Sequence, residues 1–437
     1  MAAASKKQVQ RLIARLRAKG EEERSAVIAE LVALGEVAVE PLIAALQDTA
    51  YQTRMAAAQA LGQIGSEQAL RPLLATLNDA SVNVQRAGVE ALTRMGTPAV
   101  EPLVALLQDK DAKTRRRAAE TLGRIQAPEA VEALVKALSD ENAEVCKAAA
   151  LALGSIGDQR ATARLLTMLQ GDNVELARYA ATALGEIGDR EAIPQLVSAL
   201  TSSSADLRQA ALEALVKIGR AAVPVLIRLL KHENYLARRC AAEALGLLGD
   251  KRALVPLQKA LRDPHHRVRR YAALALGRLG EERAVEPLLE LLREPLGDVR
   301  SSAIAALRAL GGEKALKALA RALQDRHWVV RMGAAQALAE IGDPRAESAL
   351  LQGLRDAEWS VRMNCAEALG RVGTEAAVIP LITVLADDKG AVRRAAAKAL
   401  GKLGDQRAVK ALKIALNDVE EEVRTAAAEA LTKLGGT

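Results

Sequence analysis

The sequence predicts an all-α fold, a right-handed α-solenoid of about fourteen stacked helix pairs, on three observations. A glycine returns every 30 or 31 residues through the whole 437-residue chain, most often as the last residue of the string Ala-Leu-Gly-x-Ile-Gly. Between successive marker glycines, Leu, Ile, Val and Ala recur at helical spacing in two separate runs. Half of the residues are hydrophobic, yet there is no Phe, and only two Trp and four Tyr occur. Such a chain packs on Ala, Leu, Val and Ile, which suits thin, close-spaced layers better than one thick core filled by aromatics.

The markers are Gly35, Gly65, Gly96, Gly157, Gly188, Gly219, Gly249, Gly280, Gly311, Gly342, Gly373, Gly404 and Gly435, with Gln126 in the one altered place. After Gly35, Gly96 and Gly219 the step is 30 and the following loop is one residue shorter, so the helices keep their register. No linker interrupts the ruler, which makes residues 1–437 one solenoid with an atypical capping repeat at 1–35 and another at 405–437. Each unit starts with an outer helix such as the run from Asp405 to Leu416, where the Asp suits an N-cap. Proline stands near the start of eight of these helices (Pro41, Pro72, Pro102, Pro194, Pro224, Pro256, Pro287 and Pro380), where a missing amide costs least. A short turn leads to a second helix such as Val392 to Leu403, closed by Gly404 as a left-handed stop. Its Ala-Ala and Leu-Gly positions read as a packing side that lets neighbouring helices approach closely.

A second ruler runs beside the first. Eleven units carry an arginine eleven residues before the marker: Arg24, Arg54, Arg115, Arg208, Arg238, Arg269, Arg300, Arg331, Arg362, Arg393 and Arg424. Six residues earlier, nine units carry Asp48, Asp79, Asp109, Asp140, Asp263, Asp325, Asp356, Asp387 or Asp418. The pattern thins in the middle, where Cys146 and Ala177 replace the arginine and Gly171, Ser202 and His232 replace the aspartate. Units five to eight are therefore expected to form a softer seam.

Plentiful aliphatics and a near balance of 61 basic against 54 acidic residues exclude a disordered chain. The net charge of +7 is modest for this length and does not by itself call for nucleic acid. Cys146, Cys240 and Cys365 are odd in number, far apart and in no CxxC pair, so they read as reduced thiols of a cytoplasmic protein. The start, Met1 to Lys7, is short, polar and basic, with neither a signal peptide nor a membrane-inserting segment expected.

The units resemble HEAT repeats, specifically the short subclass found in the E/F-type phycobilin lyases and in artificial helical-repeat proteins built from that consensus. The resemblance covers essentially the whole chain and is weakest before Gly35. It implies that the Arg–Asp pair is a ladder joining one layer to the next, and a guanidinium suits that role because it bridges a carboxylate and a helix-terminal carbonyl at once. It also implies that the second helix lines a concave groove, with variable positions flanking the ladder arginine and five and nine residues beyond it.

All six aromatic residues fall at or next to those variable positions: Tyr51, Tyr235, Trp328 and Trp359 three residues before the ladder position, Tyr179 and Tyr271 two residues after it. Aromatics kept out of the packing stripe and gathered on one face are what a binding groove needs. Met332 and Met363 immediately follow ladder arginines on that face. Arg86, Arg94, Arg116, Arg117 and Arg124 cluster in units three and four, and Arg239, His266, Arg267, Arg270 and Arg278 in units eight and nine, with fewer acids, chiefly Glu90, Glu120 and Glu243.

Catalytic patterns are scarce. There are four histidines and no HExxH, CxxC, GxSxG, Walker or dinucleotide fingerprint. A metal site like that of the helical-repeat deoxyhypusine hydroxylase needs several His-Glu pairs, and only His232-Glu233 occurs. The reading is a non-enzymatic cytoplasmic scaffold without metal or cofactor, whose groove holds a helix or extended segment of another protein with an acidic surface, nucleic acid being the weaker expectation. The alternative, implied by the resemblance, is a phycobilin lyase-like enzyme or chaperone. It would hold tetrapyrrole propionates on Arg239 and Arg270, the rings on Tyr235 and Tyr271, and use Glu243 to move a proton.

Overall fold

A computed structural model describes residues 2–17 and 20–435, with side chains from residue 7 onward. Met1, the side chains of residues 2–6 and the last two residues of the C-terminal capping repeat therefore lie outside the described residues. Those described form 28 α-helices and 13 short 3-10 helices, with no strand among them. The α-helices alternate as outer and inner members of fourteen layers, from Ala2–Arg15 with Glu21–Ala33 to Val409–Ala415 with Glu421–Lys433. This is an α-solenoid. No helix among the described residues is long and apolar enough to cross a membrane.

The outer helix differs from the single run expected. In most layers it is a 3-10 turn followed by a seven-residue α-helix, as in Lys251–Ala253 and Leu254–Ala260. The turn ends on an alanine with no exposed surface, such as Ala69, Ala130, Ala253 or Ala408, which seats the start of the helix on the layer. An aspartate after the marker glycine accepts from the amide two residues on, as Asp250 does from Arg252 at 3.0 Å. The prolines occupy the second or third helical residue, where an amide has no intrahelical acceptor.

Inner helices run fourteen residues in most layers and bury alanine and leucine on both flanks, as with Ala241, Ala242, Ala244 and Leu245 in Tyr235–Leu248. Glycine sets their spacing. A Cβ added at Gly62, Gly123, Gly185, Gly246, Gly277, Gly370 or Gly401 would lie 2.4–2.8 Å from the Cα of an alanine on the next inner helix, and at Gly154 3.0 Å from it. Bulky aromatics cannot enter helices this close, which accounts for the missing Phe. Thr93 and Arg308 stand where that glycine is expected. There Val82–Met95 packs less extensively on Ala112–Ile125, and Gly297–Leu310 less on Trp328–Ile341, than most of their counterparts do.

Helix stops are of three kinds. Gly404 takes the expected left-handed form (φ 74°, ψ 14°), and Gln126 reproduces it at φ 56°. Gly96, Gly219 and Gly311 instead pair φ of 68°, 85° and 52° with ψ of −132°, −145° and −149°, a region open essentially to glycine alone. Two of these precede shortened loops, and the third precedes an outer helix without a 3-10 turn, Gly312–Ala322. Gly373 is extended, so its φ suits any residue, but a Cβ added there would lie 2.4 Å from the Leu369 carbonyl oxygen.

The ladder is present with the expected double role. Arg54 grips the Asp79 carboxylate of the next layer through Nε and Nη2, both at 2.7 Å, while Nη1 donates to the Asp48 carbonyl of its own layer at 2.8 Å. The same fork joins Arg115 to Asp140, Arg238 to Asp263, Arg331 to Asp356, Arg362 to Asp387 and Arg393 to Asp418. Glu294 serves Arg269 at 2.8 Å, a rung missed by looking for aspartate alone. Arg293 rather than Arg300 reaches Asp325. Weak rungs also occur: Gln85 and Cys146 reach only their own layer's carbonyls, of Asp79 at 2.6 Å and Asp140 at 3.2 Å. Arg208 holds the carbonyls of Ser202 and Ser203 at 2.7 Å while its Nε is buried without a partner.

The ruler shows no linker, but the layers group into two compact units, Met1–Ala222 and Val223–Thr437.

Candidate functional site

Side-chain direction on an inner helix follows from its phase. Counting from the first residue, the third, sixth, seventh and tenth positions are mostly buried, while the first, fifth, ninth and thirteenth face outward. Tyr51, Tyr235, Trp328 and Trp359 are each the first residue of an inner helix. Tyr51, Trp328 and Trp359 are 41%, 46% and 40% exposed, in a protein whose other large apolar side chains are mostly buried. Met332 and Met363 lie half-buried at the fifth position of the two Trp-initiated helices.

Tyr179 and Tyr271 occupy the sixth position, which is otherwise filled mostly by small buried residues such as Ala56, Ala210 and Ala395. They are half-buried, and each ring is covered by cations. Lys147 Nζ and the Arg178 guanidinium lie 4.7 and 4.3 Å from the Tyr179 centroid, and Arg239 and Arg270 lie 5.2 and 5.8 Å from that of Tyr271. These two tyrosines therefore belong partly to the packing between layers, contrary to the expectation that no aromatic does. Arg117 shares the position and turns inward, donating to the Leu77 carbonyl of the preceding layer. Burial holds its pKa below the ordinary arginine value.

In the second unit, Tyr235 stacks on His265 with centroids 3.7 Å apart and planes 9° apart, and His266 continues the stack at 4.8 Å. Burial leads the causes that lower the His265 pKa, so the stack holds a neutral imidazole near neutrality. Arg239 is half-buried, with Nη2 3.2 Å from Cys240 Sγ and Nε buried without a partner. Arg267 and Arg270 are exposed. Glu243 has its carboxyl raised by burial, against the pull of Arg239 and Arg278. The structure thus gathers Tyr235 with the histidines and Tyr271 with Arg239 and Arg270. Trp328 and Trp359 make no ring contact among the described residues.

In the first unit a cavity of about 470 Å³ opens between the inner helices Ala112–Ile125 and Ala143–Ile156. Arg116, Arg124, Lys147 and Glu120 line it over a floor of Leu151 and Ala152. Arg86 is exposed one layer before it. Lys147 and Arg178 escaped the sequence reading because each follows a lost ladder arginine, Cys146 and Ala177. Counting from the marker glycine instead of from the arginine finds both. Among the described residues no group of three His, Cys, Asp or Glu comes together as a metal-ligand set.

No curated protein matches the sequence. Solved structures match the fold: Kap121p bound to Nup53p at 14% identity and a TM-score of 0.58, over 98% of this chain and 57% of that one. Kap95p bound to RanGDP matches at 14% identity and 0.52, over 98% and 70%. The CpcE–CpcF phycocyanin lyase complex of Nostoc sp. PCC7120 is 26% identical over 50% of this chain and 92% of that one, at a TM-score of 0.30. The family model described as HEAT repeats matches in eight overlapping stretches, 9–93, 39–114, 70–146, 100–182, 163–235, 223–308, 285–356 and 347–432. With the helix pairs, the glycine ruler and the Arg–Asp rungs, this makes the chain a member of the HEAT-repeat family.

Proposed function

We propose that the chain is a non-enzymatic binding scaffold whose inner-helix face holds a segment of another protein. The observation that carries the reading is the placement of Trp328 and Trp359, each the exposed first residue of neighbouring inner helices, with half-buried Met332 and Met363 beside them. Large rigid rings offered to solvent at equivalent positions of adjacent layers act as anchors for a partner. Tyr235, Tyr271, Arg239, Arg267 and Arg270 extend the face and fix orientation through charge. Widely spaced cysteines in no CxxC pair support a reducing cytoplasm as its compartment.

The test is capture of proteins from the source cell on the immobilised chain, followed by affinity measurement with the recovered partner. Trp328→Ala or Trp359→Ala weakens that partner by roughly 2 kcal/mol, about 30-fold, with little change in thermal stability. Full affinity together with a large loss of stability would assign both rings to packing.

One observation favours a second reading, an enzyme handling a linear tetrapyrrole on an acceptor thiol. Glu243 is a carboxyl raised by burial beside Arg239, as a proton donor near a propionate site requires. Titration with biliverdin, followed by its visible absorbance, decides it: no spectral shift with the wild-type chain removes this reading.

A further inference from the structure

The fifth residues of four consecutive inner helices in the first unit are all basic: Arg86, Arg116, Lys147 and Arg178. Arg86 and Arg178 have no carboxylate within 4 Å among the described residues; Arg86 has only the side-chain oxygen of Asn83 at 3.2 Å. Arg116 meets Glu120 at 3.3 Å, and Lys147 meets Glu144 and Glu175 at 3.6 and 3.9 Å. Such solvent-facing pairs are weak and exchange readily for a better partner. Tyr179 lies under both Lys147 and Arg178, which holds these two cations in place before anything binds.

Resting on the proposed protein-binding inner face, we infer that this row receives an acidic, proline-containing segment of a partner in polyproline II conformation, one carboxylate per layer. The spacing carries the choice. Packed helices repeat at about 8–10 Å. A polyproline II chain rises about 3.1 Å per residue with three residues per turn, so every third side chain returns to the same face about 9.3 Å on. A β-strand puts every third side chain on the opposite face, and an α-helix returns to one face after seven residues, about 10.5 Å. Between two rungs of the row, the cavity over Leu151, itself 42% exposed, offers an apolar floor for the residues between carboxylates. Glu90 and Glu120 stand beside the row and would repel an evenly charged polyphosphate, which favours a spaced acidic peptide over nucleic acid.

The test uses the full chain and a fluorescein-labelled (Glu-Pro-Pro)4 peptide, followed by anisotropy at low and physiological salt. It binds, and Arg86→Gln, Lys147→Gln and Arg178→Gln each weaken it roughly two- to fivefold while leaving the melting curve unchanged. A peptide of the same composition with its four glutamates in one block binds at least several-fold more weakly. Equal binding of the two peptides, tighter binding of a dT12 oligonucleotide, or no binding of (Glu-Pro-Pro)4 would each overturn the inference. Lys413→Gln, at an exposed position of the outer helix Val409–Ala415, leaves peptide binding intact. If the cellular partner is captured while the peptide is not, this register fails alone; if neither binds, the protein-binding reading of the inner face fails with it.

Discussion

The close approach of inner helices through glycine makes a graded forecast. Replacing such a glycine by alanine raises helix propensity, by roughly 1 kcal/mol in favour of the folded state. Against that stands the collision of the new Cβ. At Gly62 it would sit 2.4 Å from the Ala91 Cα and 2.5 Å from its Cβ, so the two helices must part by about 1 Å or more to reach ordinary contact. The obstacle is backbone, so trimming Ala91 to Gly gives only partial relief. Overpacking of this kind costs up to about 3 kcal/mol, leaving Gly62→Ala destabilised by about 2 kcal/mol. At Gly154 the nearest Cα, of Ala183, is 3.0 Å away and a shift of a few tenths of an ångström suffices. There the gain and the cost nearly cancel, and Gly154→Ala is close to neutral. Both glycines lie in the first unit, so amide exchange of Tyr51–Ile64 and Ala143–Ile156, read residue by residue, compares them without assuming two-state unfolding of a repeat array. If Gly62→Ala proves as stable as Gly154→Ala, glycine does not set the layer spacing.

The ladder carboxylates Asp79, Asp140 and Asp418 are held below the ordinary range by the hydrogen-bonded guanidinium groups of Arg54, Arg115 and Arg393. A depressed folded pKa stabilises above the unfolded value near 3.8 and is lost as pH falls through the folded one, so melting temperature should hold down to about pH 4 and drop below it; a drop already at pH 6 would point to other groups. Amide exchange should be faster from Cys146 to Ser202, where rungs are missing or partial, than from Arg331 to Asp418, where three full forks stand; uniform protection would assign local stability to apolar stacking alone. Burial pushes the Cys365 thiol up to about 12, so it should resist a thiol reagent at pH 8 until the chain is denatured; rapid labelling of the native chain would show that its layer opens.

What repeats was legible, because a helix pair leaves its period, its caps and its charge pairs in the sequence at fixed offsets. The marker glycines, the small packing residues and the fixed Arg–Asp spacing were read directly, while the role of that pair in joining layers came from the family resemblance. The 3-10 turn before most outer helices was not, since its buried alanine looks like any helical alanine until the layer beneath it is known. Rungs made from Glu294 or Arg293 escaped because they keep the charge but change its carrier or position. At the site, the first-position Trp residues are exposed as expected. Tyr179, Tyr271 and Arg117 sit at a sixth position that faces the neighbouring helix, and a large polar residue there looks surface-bound until the size of its neighbours is known.

The forks have a further consequence for how the chain reaches its fold. Each joins residues 25 apart in sequence, and the helices they tie are immediate neighbours. Contact order is therefore low for a chain this long, and no step waits on closing a loop of hundreds of residues. Two finished layers form a template on which the next one sets, from either side. Growth of this kind is indifferent to total length, so duplicating or excising one whole 31-residue period between Arg331 and Asp418 leaves each fork there an equivalent mate, whereas removing half a period strands an arginine and an aspartate at once.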